Sequence, residues 1–243
     1  KFSIYGEKHR LRSGDRIPPE LLEDEVPMYD PDNVSEKLPK EEGWVLGGQI
    51  GAFGFGQDSH ANLFFRYSQD LAAYGETGVP WGVGNDHTSE GAFEYLIGLS
   101  AAWEFKWAGA MLGGYFRKFK DADVNDLDTD DFVEGAFAIR PVIFITEHLQ
   151  QGFELGYQQH YPFGIDSSSN KHEVSEVYQY SIIEIISLQR GIYKRPQFRL
   201  IYTLSEPNGS ARRTYADGDM RRPKKTDNFI GFGVEWWFNS SSY

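Results

Sequence analysis

The sequence predicts an all-β protein: a transmembrane antiparallel β-barrel with about ten strands present. Three observations predict it. Apolar residues recur with period two along nearly the whole chain, and no segment has the 3.6-residue period of an amphipathic helix. Short and long connections alternate strictly between the alternating segments. Within those segments, charged residues share phase with glycines and oppose an apolar phase.

The segments follow in order, each roughly 10 to 15 residues. "KFSIYGEKHR" opens the chain and resists a two-face assignment. A long polar stretch, "SGDRIPPELLEDEVPMYDPDNVSEKLPKEE", separates it from "GWVLGGQIGAFGF". The tight turn "GQDS" leads to "HANLFFRYSQDL", and the loop "YGETGVPWGVGNDHTSE" leads on to "GAFEYLIGLSAAWEF". There Phe93, Tyr95, Ile97, Leu99 and Trp103 share one face, and Glu94, Gly98, Ser100 and Glu104 the other. "KWA" turns into "GAMLGGYFRKF", with Tyr115 in phase with Gly113 and Arg117.

"KDADVNDLDTD" is the next long loop, followed by "DFVEGAFAIRPVIF", the turn "TEHLQQ" and "GFELGYQQHY". In the last of these, Phe153, Leu155 and Tyr157 oppose Glu154, Gly156, Gln158 and His160. "PFGIDSSSNKHE" precedes "VYQYSIIEIISL", the second segment without a clear phase. After "QRGIYK", "RPQFRLIYTL" sets Phe198, Leu200, Tyr202 and Leu204 against Gln197, Arg199, Thr203 and Ser205. "SEPNGSARRTYADGDMRRPKKT" is the last loop. The final segment, "DNFIGFGVEWWF", places Ile230, Phe232, Val234, Trp236 and Phe238 on one face, with Gly231, Gly233, Glu235 and Trp237 on the other.

Which face is wet follows from the charges. Arg140, Glu154, Arg199 and Glu235 share the glycine phase, and burying them in a dry interior would cost several kcal/mol each. A soluble lipocalin-like barrel would need that reversed pattern. The apolar face therefore meets lipid, and the charged face lines the lumen. Trp44, Trp103, Trp107 and Tyr161, at segment ends, fit interfacial girdles. Trp236 then faces lipid. Trp237 faces the lumen, where an exposed indole points to a ligand.

Composition closes other routes. The chain has no cysteine, so it has no disulfide framework and no thiol or cysteine–zinc chemistry. A net charge of -12 argues against nucleic acid as a partner. No apolar run is long enough for a membrane-spanning helix. The first residues lack the pattern of a signal peptide, so the N-terminus reads as a processed end or the edge of a larger protein.

Three stretches then resemble one family in the right order. "FVEGAFAIRPVIFITEHLQQGFELGYQQH" is similar to the maltoporin family, in which an Arg-Pro strand, a short turn and a Glu-containing Gly-Tyr strand succeed one another. "GIYKRPQFRLIYTL" resembles that family's next hairpin, and "DNFIGFGVEWWF" its terminal strand with paired tryptophans. The similarity extends, with decreasing clarity, back through "HANLFFRYSQDLAAYG" to about Trp44.

The resemblance implies a sugar-selective porin of the outer membrane of a Gram-negative bacterium, a trimeric barrel of about 18 strands. It implies no cofactor. Residues 1–243 would form one barrel domain or the C-terminal portion of one. In such porins a path of aromatic rings carries the apolar faces of sugars, while ionisable side chains exchange hydrogen bonds with the hydroxyls. By motif, Tyr193 and Trp237 fall on that path. Tyr193 stands where the family favours tryptophan, and the chain runs on past the tryptophan pair as "FNSSSY". The candidate sugar-binding residues are Trp237, Tyr193, Tyr115, Arg140, Glu154, Arg199 and Glu235. Trp81, in a long loop, is a further aromatic candidate.

Bland alternatives stand beside these readings. Trp237 is also read as packing against an inward-folded loop, and Tyr193 as a girdle residue. Arg140 with Glu154, and Arg199 with Glu235, are equally read as ion pairs of the wall. The acidic run at 121–131 fails as an EF-hand loop: Asp126 occupies the glycine position and Phe132 the glutamate position. It reads as an outer loop bridged to lipopolysaccharide by divalent ions. The basic run "RRTYADGDMRRPKK" reads as solvated, or in contact with lipid phosphates. An enzymatic small barrel would need Asp86 with His87, or His172 with Glu173, to converge with further groups at the rim. An anchoring scaffold and a general diffusion porin, the latter lacking any sugar site, are the other rivals. The acidic net charge would favour cations in ion transport.

Overall fold

The computed structural model describes residues 1–16, 36–38, 40–56, 58–75, 89–122, 131–164 and 171–236. Twelve strands appear among them: β1 (Phe2–Leu11), β2 (Gly14–Arg16), β3 (Glu36–Leu38), β4 (Glu41–Phe53), β5 (His60–Asp70), β6 (Phe93–Glu104), β7 (Ala108–Lys120), β8 (Phe132–Phe144), β9 (Leu149–Pro162), β10 (Ser175–Ser187), β11 (Gln197–Pro207) and β12 (Asp227–Glu235). Ten of these form one antiparallel sheet in the order β1, β4 to β12. They match the ten alternating segments one for one. Strands of 9 to 14 residues are long enough to cross a bilayer's hydrocarbon layer, which takes about 9–11. No helix among the described residues is long and apolar enough to cross a membrane, and that says nothing of strands.

The stretch between β1 and β4 differs from the expected plain polar loop, because β2 and β3 pair within it as a separate two-stranded sheet. The long loop before β12 opens with a short helix, α1 (Gly209–Arg213), whose first turn is capped by the Asn208 side chain. Within the large sheet, β1 and β12 each pair on one side only. Barrel closure is therefore absent from the strands described.

The sheet is curved. Lys194, in the β10–β11 turn, bonds Asp58 of the β4–β5 turn at 2.9 Å. The Ile192 amide in the same turn donates to Glu104 Oε2 at the end of β6, 3.0 Å away. β6 and β11 are five strand spacings apart, about 24 Å in a flat sheet. Only a strongly curved sheet, with the β10–β11 turn folded over its concave side, brings these groups together.

Antiparallel partners share a face. One row on the concave face reads Gln49, Phe64, Gly98, Tyr115, Ala136, Gln158 and Val177. The convex face is apolar and solvent-exposed at Leu46, Leu63, Ile97, Phe116, Phe137, Leu155, Leu200 and Phe232. The phase expected from the sequence holds for β6, β7, β9, β11 and β12.

The concave face is not polar throughout, as a plain wet lumen would be. At its tight-turn end Ala102, Val142, Phe144, Ile183 and Ile185 are buried together under Ile192 of the inward-folded turn. At its long-loop end Ala73 and Tyr74 pack on Phe119 and Phe132. Tyr74 also donates its hydroxyl hydrogen bond to Asp121. The middle rows lie open between these two caps.

Candidate functional site in the concave face

A groove of about 400 Å³ occupies those middle rows, across β7 to β10. Its floor is made of small residues: Gly113 on β7, Ala136 and Ala138 on β8, and Gly156 on β9. Tyr115 stands at one side; Glu154, Gln158 and Gln179 stand along the other. The arrangement follows from the pairing. Gly113 opposes Ala138, Ala138 opposes Gly156, and Gly156 opposes Gln179, so four adjacent strands contribute one continuous row. Without larger side chains there, the backbone is open to a flat ligand. The result is an aromatic ring facing amide and carboxylate groups across a shallow floor.

Below the groove, Arg140 and Glu154 face each other, Nε to Oε2 at 2.8 Å. Towards the β12 edge, Glu235 accepts from two guanidiniums, Arg195 at 2.9 Å and Arg199 at 2.5 Å. Gln197 accepts from Arg199 as well, at 2.6 Å. Of the sequence-predicted residues, the structure thus brings Tyr115 and Glu154 into one groove with Arg140 beside it. Arg199 and Glu235 form a separate cluster.

Tyr193 is carried by no strand. It belongs to the β10–β11 turn and packs against the apolar cluster at the tight-turn end. Its ring is 6.2 Å from that of His60, which lies 6.4 Å from Phe53. Burial raises its hydroxyl pKa above the ordinary value. Folding of the turn, rather than alternation, aims it inward. Trp237 and Trp81 lie outside the described residues.

One constellation was missed. Above the groove, Glu94 is fully buried between Arg66, at 2.5 Å, and Arg117, at 3.6 Å. Arg117 also reaches Glu134 at 3.1 Å, and Glu134 is 3.3 Å from His160. Alternating charges thus run across four strands, with the His160 ring against the last of them on a fifth. A signal existed, since Glu94, Arg117 and His160 all sit in the polar phase; only the register makes them neighbours.

Of the groups considered for catalysis, the described ones, His172 and Glu173, each face a different partner. His172 Nδ1 lies 3.1 Å from the Gly164 carbonyl oxygen, and Glu173 pairs with Arg213. Asp86 and His87 fall outside the described residues, as does most of the acidic run, at 123–130. Among the described residues no cluster of His, Asp or Glu is arranged to hold a metal.

A model of one protein family, described as LamB porin, matches residues 24–238. No curated protein matches the chain.

Proposed function

This chain belongs to the LamB porin family, and on that premise we propose an outer-membrane channel that passes malto-oligosaccharide-like sugars along its concave face. The family is one of outer-membrane sugar channels, not of enzymes. The observation that carries the finer reading is the groove: an aromatic ring, a small-residue floor, and carboxylate and amide groups opposite. A pyranose has one apolar face and a rim of hydroxyls. Tyr115 takes the face, while Glu154, Gln158 and Gln179 take hydroxyl hydrogen bonds.

The remaining assignments extend that path. Arg140 fixes Glu154 and donates to a passing hydroxyl. Arg199 and Glu235 repeat the arrangement near the β12 edge, and the family resemblance assigns Trp237 a second platform. Tyr193 supplies a third at the tight-turn end. Each contact is weak, as transit requires: a sugar must be released as readily as it is held. The ten strands serve as the C-terminal portion of a barrel of about 18, assembled as a trimer in the outer membrane of a Gram-negative bacterium, with lipopolysaccharide around the long loops.

Ion current through planar bilayers, titrated with maltohexaose, tests this reading. Saturable block that weakens at least fivefold in Tyr115→Ala supports it. A current indifferent to the sugar makes the protein a general porin.

A further inference from the structure

The convex face carries a feature that a sugar path does not use. A groove of about 510 Å³ crosses β7, β8 and β9 near their long-loop ends. The rings of Phe116, Phe137, Tyr157, Tyr161 and Phe163 wall it, and Gly135 leaves its floor bare. The walls are held in place. Tyr157 donates its hydroxyl hydrogen bond to Glu176 at 2.8 Å, and the Tyr161 ring packs edge-on against Phe163 at 5.3 Å.

A cation stands at the rim. Lys118 is the register partner of Val133, which lines the groove. Its ammonium lies 5.6 Å from the centroid of Phe163 and 6.0 Å from that of Phe93. Aromatic faces offset only part of a cation's lost hydration. Lys120 is exposed on the same face, two residues along the strand.

We propose that this groove binds an acyl chain of a phosphorylated glycolipid of the outer leaflet, with Lys118 and Lys120 holding its phosphate. Any hydrocarbon chain would suit the rings. The lysines set the choice, because an anionic headgroup alone complements two cations directly above an apolar slot. The depth fits as well: long loops mark the external end of an outer-membrane barrel, where aromatic and cationic residues meet the headgroups. Rings already fixed in place bind without the cost of ordering them. The inference rests on the bilayer placement of the convex face, not on the sugar path.

Native mass spectrometry of the whole chain in neutral detergent tests it, with bisphosphorylated lipid A as the probe. One lipid A per chain is expected to be retained. Binding should weaken at least tenfold for dephosphorylated lipid A, and equally for the Lys118→Gln/Lys120→Gln double variant. Val133→Trp, which fills the slot, should also lose the lipid; the double variant alters only surface groups and keeps the test decisive if the tryptophan variant does not fold. Phosphatidylethanolamine retained as strongly as lipid A would overturn the proposal in favour of a general lipid belt. So would lipid A binding indifferent to both variants, or a second protein chain seated on the groove in place of lipid. Maltohexaose block in the double variant reports on the sugar path separately, so failure of either reading is distinguishable.

Discussion

Arg140 and Glu154 lie opposite each other on β8 and β9, joined by bonds of 2.8 and 2.5 Å. Both are only partly buried, at 30% and 17% side-chain exposure, on the wall of the open middle rows. An ion pair in that setting adds little to stability but fixes two groups beside the groove. Arg140→Ala is expected to cost about 1 kcal/mol or less in urea unfolding. The same variant should weaken maltohexaose block several-fold. A large stability loss with unchanged block would make the pair structural only.

Glu94 is a different case. It has no exposure and faces two guanidiniums, so its removal takes the carboxylate from between two cations in a buried place. Glu94→Ala is expected to cost about 3–5 kcal/mol. A urea midpoint within error of the parent's would contradict the burial described.

Two glycines of β4 separate rigid from yielding neighbours. A Cβ at Gly43 would meet backbone atoms of Gln69, Leu71 and Ala72, whereas one at Gly47 would meet the far end of the Tyr5 ring. Gly43→Ala should therefore cost about 1–3 kcal/mol. Gly47→Ala should cost less, because the tyrosine can swing aside. Equal midpoints for the two variants would refute the distinction.

Acid should unmake the last long loop late. Arg221 donates to both carboxylate oxygens of Asp219 and holds its pKa down to about 2. A carboxylate with a depressed pKa contributes at pH values above its ordinary one, and that contribution is lost as pH falls through the folded value. The Asp219 carboxyl carbon, followed by NMR, should titrate near pH 2. Titration near pH 4 would place the pair in solution.

The alternation of β6, β7, β9, β11 and β12 was legible because each has one apolar and one polar phase. β10 was not, since Ile183 and Ile185 face inward while Ile182 and Ile186 face outward. Its inner isoleucines make sense only under Ile192, which the folded turn delivers from outside any strand. β1 was obscured similarly, with Phe2 and Ile4 outward and Tyr5 inward over Gly47. The groove could be read only in part. Tyr115 and Glu154 were visible in the glycine-bearing polar phase, but the floor depends on four strands in register, and register is a property of pairing. The buried Glu94 network was lost for the same reason.

A channel of this kind needs its two faces in opposite surroundings, and the absence of native cysteine lets each be probed singly. Gln158→Cys, in the groove, and Leu155→Cys, on the convex face, would be treated with a water-soluble maleimide after insertion into lipid vesicles. The expected result is rapid labelling at position 158, slowed by maltohexaose, with no labelling at 155. Labelling of 155 at a rate comparable to 158, or labelling of 158 unaffected by the sugar, would contradict the account.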